Sequence, residues 1–471
     1  MTAPVILWFR HDLRLSDHPA LTAALESGRP VLPVFVLDDD SPGRWVAGGA
    51  SRWWLHHSLS ALAGSLAERG ATLVLRRGLS TREIPRLVAE TGAAAVFTGG
   101  SVEPWARTLD CAVAKALDQV PLHRKRTTML FNPAALRNKA GGPYGVYTPF
   151  SNACLDTGGP RGPVPAPERL PCPTPPPSDR LEAWDLLPTR PDWAGGLRAA
   201  WTPGEAGAQA RLSAFLSDRV ARYAARRDHP GEDATSMLSP HLHFGEVSAM
   251  QVWNAAHHLE PGAGRDKFIR ELLWREFSFH LLWHNPSLPE APLRPEFAAM
   301  PWRDDPTALR AWQKGRTGIP IVDAGMRQLW ETGWMHNRVR MVVASFLVKH
   351  LMIPWQTGEA WFWDTLVDAD LANNAASWQW VAGCGADAAP YFRIFNPVLQ
   401  GRKFDPDGAY VRRYVPELRR LAPRFVHAPW EAPPLALAEA GVRMGTEYPL
   451  PVVDLAAGRA RALAAFHALR T

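Results

Sequence analysis

The chain is 471 residues long, with 46% hydrophobic and 21% charged residues. At roughly 100–200 residues per domain, that length excludes a single small domain, and the composition excludes a disordered chain. A formal net charge of +6 admits an anionic partner without requiring one.

Residues 1–130 alternate short apolar runs with amphipathic stretches. The runs are Val5–Phe9, Val31–Leu37, Thr72–Leu75 and Ala93–Phe97, each continuous, as strands buried on both faces are. Helical patterns at Ser51–Arg69 and Arg82–Glu90 lie between them. This alternation predicts an α/β domain with a doubly wound, Rossmann-like parallel sheet. No GxGxxG follows the first run. Arg10-His11-Asp12-Leu13-Arg14 stands there instead, so a dinucleotide fingerprint is absent.

Nine of the twenty residues from Gly158 to Pro177 are proline. Proline removes amide donors and blocks helix continuation, so this stretch reads as an extended linker. Beyond residue 205 the pattern turns helical, with apolar residues at helical spacing over Asp266–His284 and Ala324–His350. The expected organisation is an α/β domain (1–130), a Pro-rich connector (131–204) and an all-α domain (205–471), without internal repeats.

Cys111, Cys154, Cys172 and Cys384 form no CxxC pair and fit no metal spacing. They read as free thiols in a reducing compartment. The N-terminus has no charged-then-apolar leader, and no apolar run approaches the roughly 20 residues that span a bilayer. The expectation is a cytoplasmic protein without a membrane partner.

Two compositional features need explaining. The 52 basic residues comprise 45 Arg and 7 Lys, which suits phosphate recognition but also follows from a GC-rich genome. Of 21 Trp, 16 lie after residue 150. P-loop, GxSxG and HExxH motifs are all missing, so a bound cofactor is expected to carry the chemistry. His241 and His243, two apart, suit a metal poorly and read as structural.

Four C-terminal segments are dense in polar and aromatic residues. The hydroxyls of Thr235-Ser236-Met237-Leu238-Ser239 precede a helix and can cap it or donate to a phosphate; on residue chemistry alone the plain cap is the preferred reading. Glu271, Trp274 and Arg275 are spaced i, i+3, i+4 and share one helix face, as a grip on a base and a phosphate or as a surface salt bridge beside a core Trp. Trp334-Met335-His336-Asn337-Arg338-Val339-Arg340-Met341 and Asp368-Ala369-Asp370-Leu371-Ala372-Asn373-Asn374, followed by Ser377-Trp378-Gln379-Trp380, are costly in a core unless hydrogen-bonded and cheap around a polar cofactor.

Together these segments resemble the photolyase/cryptochrome family. The match runs from Trp8-Phe9-Arg10-His11-Asp12-Leu13-Arg14 to Pro390-Tyr391-Phe392-Arg393-Ile394-Phe395-Asn396-Pro397. Asn337, where other branches carry a second His, and Met341 make it look like the class I cyclobutane pyrimidine dimer photolyases. The resemblance implies light-driven repair of UV-damaged DNA, in which an electron from reduced, anionic FAD splits the dimer back to two pyrimidines. The alternative is a cryptochrome-type blue-light photoreceptor that binds FAD without repair. Asn337, Met341, Asn374 and the absence of a long tail after the helical domain favour repair.

Carried over by motif, the resemblance implies that Tyr223, Thr235, Ser236, Met237, Leu238 and Ser239 hold the phosphate and ribose region of FAD. Met237 replaces an Arg common there. Arg275, Arg340, Asp368, Asp370 and Asn374 complete the flavin set, with Arg340 pairing Asp368. Ala375 and Ala376 stand where Asn and Gly are frequent. Glu271, Trp274, Arg275, Asn337, Arg338, Met341 and Trp380 are implied to contact the lesion, with Glu271, Asn337, Asn374 and Met341 at the chemistry. Trp302, Trp355 and Trp378 resemble an electron-transfer triad. The family also implies an antenna chromophore, methenyltetrahydrofolate or alternatively 8-hydroxy-5-deazaflavin, near Glu103-Pro104-Trp105. Pro289-Glu290 departs from a Cys–Lys pair of some folate-type enzymes. A monomer without a metal is expected.

Overall fold

The computed structural model describes residues 2–388 and 392–469. They group into two compact units. Unit 1 comprises residues 1–221, 236–286 and 367–373, and unit 2 comprises 222–235, 287–366 and 374–471.

Unit 1 carries a five-stranded parallel sheet of β1 (Val5–Phe9), β2 (Val31–Leu37), β3 (Val74–Arg77), β4 (Val96–Gly99) and β5 (Leu122–Lys125), in the order β3-β2-β1-β4-β5. Val5 lies opposite Val31 and Ile6 opposite Val96. The apolar runs become strands because helices α1 (Pro19–Glu26), α2 (Gly49–Ala67), α3 (Ser80–Thr91) and α4 (Pro104–Ala116) alternate with them in the chain. Ile6, Trp8, Leu32, Val34, Val74 and Val96 join Ile84, Leu87, Leu109 and Val113 in one buried cluster. The pattern of apolar runs misses β5. Its His123, Arg124 and Lys125 are exposed, as polar residues on an edge strand should be, so no apolar run announces it.

Residues 159–180 contain neither helix nor strand. Before them, α5 (Tyr147–Asp156) lies along α6 (Ala263–His284), the long helix of unit 1. Gly245, at φ +68°, closes the turn after Ser239–His243; a β-carbon there would overlap the backbone of His11 and Asp12.

Unit 2 is helical. The continuous helix expected over Ala324–His350 is divided into α7 (Pro320–Thr332), α8 (Asn337–Ser345) and a π-helical turn, Phe346–His350. Gly333 ends α7 in the left-handed region at φ +65°, and His336 caps α8 by accepting from the Arg338 amide at 3.2 Å. Burial pushes the His336 pKa down to about 4, so the ring is neutral and its Nδ1 can accept. The buried Asp323 carboxylate accepts from Thr317 N and Oγ1, Gly318 N and the Tyr448 hydroxyl at 2.6–3.0 Å. α9 (Trp355–Thr365) and α10 (Leu371–Ala382) follow, the latter belonging to unit 2 from Asn374 onward.

Candidate functional site

The sheet order reverses direction between β1 and β4. In an open parallel sheet, the carboxyl ends of strands at such a point frame a crevice for ligands. Unit 1 has an open cleft there. Arg10, His11 and Asp12 line it from the end of β1, and Gly99, Gly100, Ser101 and Glu103 from the end of β4. His243, Arg275 and Asp370 complete its polar lining. The post-β1 segment that replaces a glycine fingerprint therefore serves a side-chain-lined cleft.

Its charges are held by neighbours. Arg10 donates to Asp110 at 2.8 Å and to the Gly99 carbonyl, over the Trp8 ring. Arg275 donates to the Thr128 carbonyl at 3.0 Å and to Glu276 at 2.9 Å, over the Phe279 ring. Glu103 is buried, and burial together with the nearby Asp370 carboxylate pushes its pKa up to about 8. Asp370 goes the other way. Burial favours its neutral form, but His243 and Arg275 outweigh that and hold its pKa below the usual range. Asp370 also accepts from the Asn373 amide and side chain at 2.8 and 2.7 Å.

On α6, Glu271 pairs with Lys267 at 3.1 Å. Trp274 lies flat against Tyr147, while Arg275 turns into the cleft. The structure adds two residues that no sequence pattern singles out. Glu276 accepts from the Leu130 and Phe131 amides at 2.9 and 3.2 Å. Burial raises its pKa, against the opposing pull of Arg275. Tyr147 lies in the stretch expected to be connector.

Within the hydroxyl-rich segment, Thr235 belongs to unit 2 and Ser236, Met237, Leu238 and Ser239 to unit 1. Met237 sits at φ +49°, a turn conformation uncommon for a side-chain-bearing residue. The plain-cap explanation does not hold. Leu238 occupies the cap position of the helix Ser239–His243, and no side chain caps it. His241 hydrogen-bonds buried Glu246, which also accepts from Trp54 Nε1 at 2.9 Å, a structural arrangement.

In unit 2, Tyr223 is buried, with the Arg227 guanidinium 5.4 Å from its ring centre. Asn337 is exposed at the start of α8 and Met341 is half-buried one turn on. Arg338 pairs with Asp228 at 2.9 Å and lies over Phe404. Arg340 donates to the Met335 carbonyl at 2.7 Å. The buried Asn374 amide donates to the Glu359 carbonyl at 3.1 Å. Asp368 is a buried residue of unit 1.

Trp378 is sealed between Phe362 and Trp312, with ring centres 5.0 and 6.3 Å away. Trp355 is buried at the start of α9. Trp302 packs on a cluster of Met300, Met352, Ala462 and Ala465. Trp380 lines a small recess with Val381, Gly383, Ala388, Arg393 and Phe395, and the Arg393 guanidinium is 5.5 Å from its ring centre. Of the Pro390–Pro397 motif, Pro390 and Tyr391 lie outside the described residues. Among the described residues no group of three or more His, Cys, Asp or Glu side chains is placed to hold a metal. Among them, too, no helix is long and apolar enough to cross a membrane.

Comparison with known proteins agrees along the whole chain. Residues 5–173 match the DNA photolyase family model, and residues 268–468 match the model of the FAD binding domain of DNA photolyase. The chain is 51% identical to a deoxyribodipyrimidine photo-lyase of Agrobacterium fabrum, covering 100% of this chain and 98% of that protein. It is 37% identical to Cryptochrome-1 of Arabidopsis thaliana, covering 97% of this chain and 69% of that protein. A crystal structure of a bacterial class III photolyase from Agrobacterium tumefaciens superposes with a TM-score of 0.96 at 50% identity, covering 100% of this chain and 98% of the other.

Proposed function

The chain belongs to the photolyase/cryptochrome family, with the deoxyribodipyrimidine photo-lyase activity of light-driven DNA repair, and from that premise we propose that it splits cyclobutane pyrimidine dimers with reduced FAD. The observation that carries this reading is the 51% identity over the full chain to a photo-lyase. The residue choices at Asn337, Met341 and Asn374 support it. The photoreceptor reading rests on the 37% identical cryptochrome. The motifs by themselves suggest class I. Half of the residues are shared with a photolyase described as class III, and we place the chain with that class.

The donor set fits a flavin dinucleotide. Hydroxyls of Thr235, Ser236 and Ser239, none of them at the helix cap position, suit phosphates and ribose, with Met237 and Leu238 in the same segment and Tyr223 twelve residues before it. The ionised Asp370 carboxylate, Asp368, Arg275, Arg340 and the buried Asn374 amide suit the polar edge of the ring system. A bound flavin supplies light-driven one-electron chemistry, so no general base is needed from the protein. Trp378, Trp355 and Trp302 are assigned as the route by which the flavin is kept reduced.

Glu271, Trp274, Arg275, Asn337, Arg338, Met341 and Trp380 are assigned to the lesion. Photolyases are a standard example of enzymes that extrude a base from the duplex, at a cost of a few kcal/mol. Indole faces recover part of that cost, and Arg supplies phosphate affinity without reading sequence. The cleft at the ends of β1 and β4 is assigned to the antenna, of folate type, with a deazaflavin as the alternative. Its position where the strand order reverses, between β1 and β4, supports a bound ligand there. A monomeric, cytoplasmic enzyme with domains at 1–130 and 205–471, joined by 131–204, completes the proposal.

The test is to illuminate the reduced protein with dimer-containing DNA and measure restored thymines. Restoration supports repair. Flavin-loaded protein that restores none overturns the proposal in favour of the photoreceptor.

A further inference from the structure

We propose that Tyr147 is a positioning residue for lesion recognition, holding the Trp274 indole from one face so that only the opposite face can meet a flipped base. The inference rests on the reading that Trp274 contacts the lesion. The two rings are parallel to within 5°, with centres 3.6 Å apart. At that separation nothing else can enter on the Tyr147 side. The phenol cannot slide, because its hydroxyl donates at 2.7 Å to the Arg270 carbonyl, one turn before Trp274 on the same helix. Phe277 meets both rings edge-on, 6.0 Å from Tyr147 and 5.9 Å from Trp274, and Phe150 packs behind it at 5.2 Å. Tyr147 is buried and Trp274 only half-buried, so the exposed surface of the pair belongs mainly to the indole.

The physical consequence is pre-organisation. A free indole loses rotamer freedom when a base stacks on it, which weakens binding. An indole already stacked and clamped has lost that freedom on folding. Tyr147 and Trp274 then act as the first two layers of a stack that the extruded base continues. Tyr147 touches neither flavin nor lesion and acts through Trp274.

Steady-state repair of a dimer-containing oligonucleotide by the flavin-loaded protein tests this. Tyr147→Leu, which keeps apolar volume without a stacking plane, is expected to raise KM about five- to tenfold with kcat and flavin content unchanged. Tyr147→Phe keeps the ring and is expected to restore KM to within about twofold. An unchanged KM in flavin-loaded Tyr147→Leu overturns the proposal, as does a loss of kcat at unchanged KM. Trp274→Ala is measured in parallel. If its KM is unchanged, the lesion assignment of Trp274 itself fails; if only that variant is impaired, the positioning role of Tyr147 fails alone.

Discussion

Gly358 lies so close beneath Trp378 that a β-carbon there would overlap the far edge of the indole ring. Gly358 is one turn into the helix that begins at Trp355, so this contact brings Trp378 against the same helical turn as Trp355. Gly358→Ala should therefore push Trp378 out of its seat against Phe362 and Trp312. The expected cost is about 1–3 kcal/mol of stability, as for other overpacked cores. Photoreduction of oxidised flavin should slow as well. A melting curve and a flavin bleaching time course check both, and unchanged photoreduction would count against the tight seat.

Trp302→Phe should interrupt the route at its partly buried end. Photoreduction of oxidised flavin is expected to fall sharply, while repair by chemically pre-reduced enzyme stays at the wild-type rate. Normal photoreduction would remove Trp302 from the path.

Trp274→Ala removes the stacking face. Dimer binding should weaken by about 1–3 kcal/mol, the range for one stacked base. Flavin absorbance should be retained. Titration with dimer-containing and undamaged duplexes separates the loss of lesion recognition from loss of general DNA affinity.

Arg338, held by Asp228 at 2.9 Å, is expected to meet phosphate rather than a base edge. Arg338→Ala should weaken binding to all DNA sequences similarly and lower the slope of log affinity against log salt by about 1. A sequence-dependent loss would argue for a base contact instead.

Glu103 carries a pH signature. Its folded pKa, about 8, lies above the ordinary 4.5, chiefly because burial disfavours the carboxylate. The folded state therefore holds a proton that the unfolded state releases. The associated stability is complete below pH 4.5 and is lost progressively as pH rises through about 8, by up to about 1.4 kcal/mol per pH unit. Glu103→Gln should flatten this decline in thermal melts followed across that range. Parallel slopes for both proteins would refute the assignment.

The strands Val5–Phe9 and Val31–Leu37 were legible because a parallel strand covered on both faces must be apolar without interruption. The edge strand Leu122–Lys125 was not, since solvent on one side permits His, Arg and Lys. Helical periodicity over Asp266–His284 falls within the helix Ala263–His284, but periodicity over Ala324–His350 runs separate helices together, because apolar spacing continues through the left-handed turn at Gly333. Motif order determined the family, and the resemblance in turn implied the flavin and proposed the lesion residues, because chemistry of that kind needs particular side chains in particular segments. Tertiary structure alone decided the rest. It brought Tyr147, from a stretch without helical promise, flat onto Trp274 of a helix more than a hundred residues away. It also gathered Arg10, Glu103, His243, Arg275 and Asp370 around one cleft. Neither arrangement leaves a periodic trace, because both depend on which distant segments the sheet and the long helix hold side by side.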